Sequence, residues 1–128
     1  MSVPYKNVHP LHPVRCEVKV LSLSKSMQDS GWTGDPLLVI YRLGRLFAAN
    51  GTHRIAAAQA TKTPLKTFVV HAPVNETARV THLLNELLHP DVTDKARYAA
   101  LLELRKTGTV PEEAVRIMKE ELDKHGGF

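Results

Sequence analysis

Residues Leu37-Leu38-Val39-Ile40-Tyr41 form an unbroken apolar run opened by Pro36. A run of this kind, without polar alternation, is typical of a buried strand. Arg42-Leu43-Gly44-Arg45 then supplies a turn, and Leu46-Phe47-Ala48-Ala49 reads as the returning strand of a hairpin. Asn50-Gly51-Thr52 breaks the pattern, and Arg54 to Thr61 is Ala-rich and helical in character. Thr63-Pro64 stops that helix, and Thr67-Phe68-Val69-Val70 reads as a third short strand.

The flanks are less patterned at one end and more at the other. Residues 1–16 carry Pro4, Pro10 and Pro13, which predicts an extended lead-in with one edge strand near Val14–Val18. Residues 19–30 place Val20, Leu23 and Met27 on one helical stripe, with Gly31 closing the helix. Beyond residue 72 three helices are expected. Val80, Leu83, Leu84, Leu87 and Leu88 form the first stripe, which ends at His89-Pro90. Thr93 to Lys106 forms the second helix, closed by Gly108, and Ala114, Ile117, Met118 and Leu122 mark the third. Thr109-Val110-Pro111-Glu112 has the spacing of a capping box before it. The expected division is residues 1–72 as an α/β core and residues 73–128 as a helical extension packed on the same domain.

The chain has 128 residues, enough for one core. No apolar run approaches the ~20 residues of a membrane span, and Met1-Ser2-Val3-Pro4-Tyr5-Lys6 lacks a signal peptide's apolar stretch. The single cysteine, Cys16, excludes an internal disulfide and multi-cysteine zinc sites, and fits a cytoplasmic location. Charge is unevenly spread. Residues 1–70 hold nine Lys/Arg against three acids, a net +6, and residues 71–128 hold eight against ten, a net −2. A basic first half favours a phosphate-bearing partner, nucleotide or nucleic acid; the alternative is a basic face that only keeps the protein soluble.

The chemistry concentrates at the strand–turn–helix junction from Phe47 to Ala58. The first N–H groups of a helix lack internal partners and carry partial positive charge, so a phosphate placed there receives backbone hydrogen bonds. Gly51 permits close backbone approach, Thr52 can cap the helix and offer a hydroxyl, and Arg54 can make bidentate phosphate contacts. A cation in the first turn opposes the macrodipole, a local conflict that points beyond helix stability. The competing structural reading is a well-capped helix with Arg54 paired to an acid such as Asp35.

Asn50-Gly51-Thr52-His53-Arg54-Ile55-Ala56-Ala57-Ala58 resembles the signature of the ParB/sulfiredoxin superfamily. There an apolar strand is followed by an acidic, Asn or Gly residue, by Gly-x-His/Arg-Arg, and by an Ala-rich helix. Upstream, Leu23–Met27, Gly31 and Asp35-Pro36-Leu37-Leu38-Val39 resemble the helix–Gly–Pro–strand element of ParB-type domains. The resemblance covers about residues 9–70 and implies an α/β fold with a small mixed sheet, to which the C-terminal helical extension is added.

The superfamily's chemistries separate residue by residue. Sulfiredoxins use a cysteine inside this motif; Thr52 stands at that position, which argues against sulfiredoxin activity because a thiolate is the required nucleophile. ParB clamps bind CTP at this turn, which implies phosphate contacts at Gly51, Thr52, His53 and Arg54, with Asn50 and Arg15 as further nucleotide-binding candidates. Free-serine kinases of the superfamily transfer phosphate and use a base from the N-terminal region. Here His12 and Glu17 are the candidates, alongside His53 in the motif. The implied ligand is ATP or CTP, with or without Mg2+, and the resemblance leaves open binding alone or binding with hydrolysis or phosphoryl transfer. Asp94–Leu104, Gly108 and Pro111–Val115 resemble the start of ParB's DNA-binding region, with little room for a complete recognition element. A nuclease reading has few carboxylates to hold metal, namely Glu17, Asp29 and Asp35 in the first half.

Other residues carry paired readings. Trp32 either stacks on a base or closes the core. Arg42 and Arg45 are either solvated charges or, with Arg15, a funnel for an anion. His9 and His12 could form a metal pair but lack an evident third ligand, so no metal site is expected. The leucine stripes are core by default and a homodimer surface otherwise. Alternatives to nucleotide binding are a nucleic-acid-binding module, with no membrane partner, or a phage or mobile-element regulator that keeps the fold without the ligand.

Overall fold

The computed structural model describes residues 2–3, 8–10, 16–32 and 36–124. Along them run β1 (Ser2–Val3), β2 (Val8–Pro10), α1 (Glu17–Ser30), β3 (Leu37–Arg42), β4 (Arg45–Ala48), α2 (Thr52–Thr61), β5 (Leu65–His71), α3 (Ala78–Leu87), α4 (Asp94–Lys106) and α5 (Glu112–Lys124). Four strands make a mixed sheet in the order β5-β3-β4-β2, and β1 adds two residues outside β5. The central strand β3 runs parallel to β5 and antiparallel to β4, while β2 runs parallel to β4.

The apolar run in β3 is explained by what lies on each side of the sheet. Side chains alternate between the faces of a strand. Leu37 and Val39 enter a cluster with Val20, Met27, Ile55 and Leu65, which belongs to the α1/α2 layer. Leu38 and Ile40 enter a second cluster with Leu83, Leu84, Leu101 and Met118 of the α3–α5 layer. All four β3 residues are 0% exposed. At about 1.5–3 kcal/mol per buried aliphatic side chain, these four contribute on the order of 6–12 kcal/mol gross, as much as the net stability of a typical domain.

The hairpin turns on Leu43 and Gly44, with φ of 52° and 78°. Two consecutive positive φ values match the two-residue turns whose twist suits a hairpin. The lead-in departs from expectation. The edge strand is β2, and Glu17 and Val18 lie in the first turn of α1 instead of a strand. Val18 is 75% exposed, so its alternation with upstream apolar residues reflects no buried face. Val14 falls outside the described residues. The capping-box spacing at Thr109 is not used as such: α5 begins at Glu112, whose carboxylate accepts from Arg105 Nη1 at 2.7 Å.

Two arginines, Arg42 partly buried and Arg97 buried, tie the helices down. Arg42, at the end of β3, forms a bidentate pair with Glu76, with Nε–Oε2 at 2.9 Å and Nη2–Oε1 at 2.6 Å, and donates to Asn85 Oδ1 at 2.8 Å. Thr81 Oγ1 also donates to Glu76, at 2.9 Å. Arg97, 1% exposed, donates to the carbonyls of Leu87, His89 and Val92 and so closes the end of α3. Burial holds the Arg97 guanidinium below the usual arginine range, with Asp94 acting in the opposite sense. The leucine stripes of α3 and α4 face the second core cluster.

Candidate functional site

Strand β4 delivers the chain into Ala49-Asn50-Gly51, and α2 starts immediately afterwards. The turn is pinned to the start of β3. Ala49 N–H donates to Leu38 O at 2.8 Å, and Leu38 N–H donates to Asn50 Oδ1 at 3.1 Å. Gly51 is the N-cap of α2, with φ 78° and ψ 31°. This left-handed conformation suits glycine, and space demands glycine as well: a Cβ at this position would lie 2.1 Å from Leu37 Cδ2. Because Gly51 occupies the cap, Thr52 does not cap the helix as expected; it is the first helical residue and is buried.

Arg54 is 9% exposed. Its guanidinium carbon sits over Trp32, 5.1 Å from the ring centroid. Its Nε and Nη2 lie 3.5 Å from the point where a Gly51 Cβ would stand, so the cation is held against the turn. A cation in the first turn costs a helix about 0.3–1 kcal/mol. A cation over a Trp ring returns about 0.5–2 kcal/mol, enough to offset that cost. Trp32 thus carries an arginine, which revises the reading of it as a base-stacking platform, and it also packs half-buried against the α1/α2 core. Asp35, the alternative partner considered for Arg54, lies outside the described residues.

His53 makes a contact that sequence separation hides. Its Nε2 accepts the backbone N–H of Cys16 at 3.2 Å, thirty-seven positions away. An accepting Nε2 places the proton of the neutral ring on Nδ1. Cys16 is the N-cap of α1 and makes no side-chain cap of its own, so His53 serves an N–H at the start of a second helix. The starts of α1 and α2 therefore meet at this turn. Glu17, exposed in the first turn of α1, is brought beside it, as is Cys16, whose thiol is exposed. The first turn of α2 contains no acid.

Two buried side-chain polar atoms among the described residues are left over, Arg97 Nε and, at this turn, Asn50 Nδ2. Asn50 Nδ2 is buried and meets no hydrogen-bond partner among the described residues. A buried orphan donor costs about 1–3 kcal/mol unless water or a ligand satisfies it.

Of the expected site residues, Asn50, Gly51, Thr52, His53, Arg54 and Glu17 converge here, whereas His12 and Arg15 lie outside the described residues. Arg42 and Arg45 do not funnel an anion to the turn. They face each other at the far end of the β3–β4 hairpin, and Arg42 is occupied by Glu76. His9 stacks at a tilt on Phe47, 6.0 Å between centroids. No group of three or more His, Cys, Asp or Glu among the described residues is arranged to hold a metal ion. No described helix is long and apolar enough to cross a membrane.

No protein-family model matches the sequence, and no curated protein matches it. Solved structures do. A sulfiredoxin from Arabidopsis thaliana aligns over 56% of this chain and 84% of its own, with 20% identity and a TM-score of 0.48. The C-terminally truncated chromosome-partitioning protein ParB from Caulobacter crescentus aligns over 92% of this chain in two complexes. With the centromeric parS site the match covers 63% of that chain, at 17% identity and a TM-score of 0.48. With CTP-γ-S it covers 83%, at 13% identity and a TM-score of 0.49. These are among the solved structures that this α/β chain is similar to. The chain's own mixed sheet with helices is the α/β architecture expected from its sequence.

Proposed function

We propose that this chain binds the phosphate groups of a nucleotide, ATP or CTP, at the Asn50–Arg54 turn. The observation that carries the reading is a convergence of hydrogen-bond donors at the start of α2. Arg54 is buried against Gly51, Asn50 Nδ2 is an orphan donor, and α2 begins there with no acid in its first turn. The first intrahelical bond of α2 runs from Ile55 N–H to Gly51 O, so the amides of residues 52–54 point out of the helix start. Phosphate oxygens match each of these groups chemically. The +6 charge of residues 1–70 would raise the local concentration of such an anion. Mg2+, if it accompanies the nucleotide, would be held mainly by the phosphates themselves.

Binding is better supported than transfer. The Nε2 lone pair of His53 is engaged by Cys16, and Glu17 is solvent-exposed, so neither is poised as a proton acceptor in this state. A nucleic-acid reading through α5 is weakened by Glu112 and Glu113, which place two carboxylates where a recognition helix would meet phosphate.

The test is calorimetric titration with ATP, CTP and GTP, with and without magnesium. At least one nucleotide should bind, and Arg54→Ala should weaken binding by about tenfold or more, the scale of a lost charge-assisted hydrogen bond. No heat with any nucleotide, or affinity unchanged in Arg54→Ala, overturns the reading.

A further inference from the structure

We propose that Trp32 is the positioning residue of this site: it holds the Arg54 guanidinium against Gly51 in the geometry that grips phosphate. The proposal rests on the nucleotide-binding reading above and adds to it a residue that the motif does not contain.

Three observations meet at Trp32. It follows directly on Gly31, whose positive φ of 76° ends α1 and whose N–H is held by Met27 O at 2.8 Å, so the end of the helix fixes where the indole starts. The ring packs half-buried against the core cluster that includes Val20, Met27 and Ile55, so it cannot swing freely. Arg54 Cζ lies over that ring at 5.1 Å, within cation–π range.

Geometry decides between a structural and a positioning role. A guanidinium needed only for packing could leave its polar end in solvent, as long cationic side chains usually do. Here Arg54 is 9% exposed, and Nε and Nη2 are both turned to the Gly51 turn at 3.5 Å from its would-be Cβ. An arginine has four rotatable side-chain bonds, and stacking on a fixed ring removes most of that freedom before the ligand arrives. The guanidinium is thereby held in one orientation beside the turn. A flat guanidinium is required, because a lysine would neither stack in the same way nor present two donors in one plane.

The experiment uses the chain's single tryptophan. In ligand-free protein, Arg54→Met removes the cation from the ring, so the Trp32 emission should change in intensity or wavelength; unchanged emission overturns the contact. Nucleotide affinity is then measured for wild type, Trp32→Tyr and Trp32→Leu. The tyrosine variant keeps an aromatic face and should stay within about threefold of wild type. The leucine variant keeps apolar bulk but loses the face, and should weaken binding about tenfold with its thermal midpoint close to that of Trp32→Tyr. Equal affinity in the two variants overturns the positioning role while leaving nucleotide binding intact. Absence of binding by the wild type overturns both. Should Trp32→Leu fail to fold, Arg54→Lys replaces it. Retained affinity there refutes the need for a stacked planar cation, and an approximately tenfold loss supports it.

Discussion

Gly51→Ala isolates the strain built into the turn. Two penalties act at this residue. Alanine in the left-handed region costs about 1–2 kcal/mol, because φ is 78°. The new methyl would sit 2.1 Å from Leu37 Cδ2, and Leu37 is fully buried in the central strand. It cannot move away without disturbing the α1/α2 core, so overpacking adds about 1–3 kcal/mol. The sum is roughly 2–5 kcal/mol, a shift in thermal midpoint of about 10 °C or more for a chain of this size. Gly108→Ala is the internal control. Gly108 has the same φ of 78° but nothing within 4 Å of a Cβ, so it should suffer the backbone penalty alone. Urea and thermal unfolding of both variants would show Gly51→Ala the more destabilised by the overpacking share. Adding Leu37→Ala to Gly51→Ala should recover part of that share, giving a favourable coupling energy in the double-mutant cycle. If Gly51→Ala and Gly108→Ala unfold together, or if the two core changes simply add, the claim that Leu37 seals the turn is wrong.

The Arg42 hydrogen bond lowers the Glu76 carboxyl below the usual range; burial opposes this, and Thr81 and the Arg42 charge add to the lowering. A depressed folded-state value means the stabilisation is present above the unfolded carboxylate value of about 4.3 and is lost as pH falls through the folded value. Glu76→Gln should therefore be less stable than wild type at pH 7 by about 1–2 kcal/mol, with the two converging in urea unfolding once the pH has fallen below the folded-state value; a gap that persists in acid would count against the pair. Arg97→Met should lose about 2–4 kcal/mol, because three carbonyls lose their donor. Amide exchange should speed up in residues 88–93, and Arg97→Lys should rescue poorly because one ammonium cannot reach all three carbonyls; full protection in Arg97→Met would refute the closing role.

What the sequence made legible were features with a local period or a local conflict. The run Leu37–Tyr41, the Leu43-Gly44 turn and the stripes at Val80–Leu87 and Ala114–Leu122 announce their elements in one dimension. Strand β2 has no such signal. Val8-His9-Pro10 is three residues long with a proline, and only pairing to Leu46–Ala48 makes it a strand. Arg97 was readable in principle. It lies on the stripe of Leu101 and Leu104, at i+4 and i+7, where a charge on an apolar face asks for partners. The His53–Cys16 and Trp32–Arg54 contacts depend on how α1 packs on α2, which no spacing encodes.

The candidate turn stands out most clearly against the chain's own other helices. Helix α3 starts at Thr77, whose side chain accepts from Val80 N–H, and α4 starts at Thr93, whose side chain accepts from Ala96 N–H. These helices serve the second core, and they are capped in the way that maximises helix stability. The same chain begins α2 on a left-handed glycine with an arginine in the first turn and no acid. It begins α1 on a cysteine that contributes no side-chain cap. A Thr side-chain cap appears twice elsewhere in this sequence, and at α4 the acid Asp94 stands behind it. Neither helix start that meets beside Asn50 has a side-chain cap, and of the two only α1 has an acid, Glu17, in its first turn.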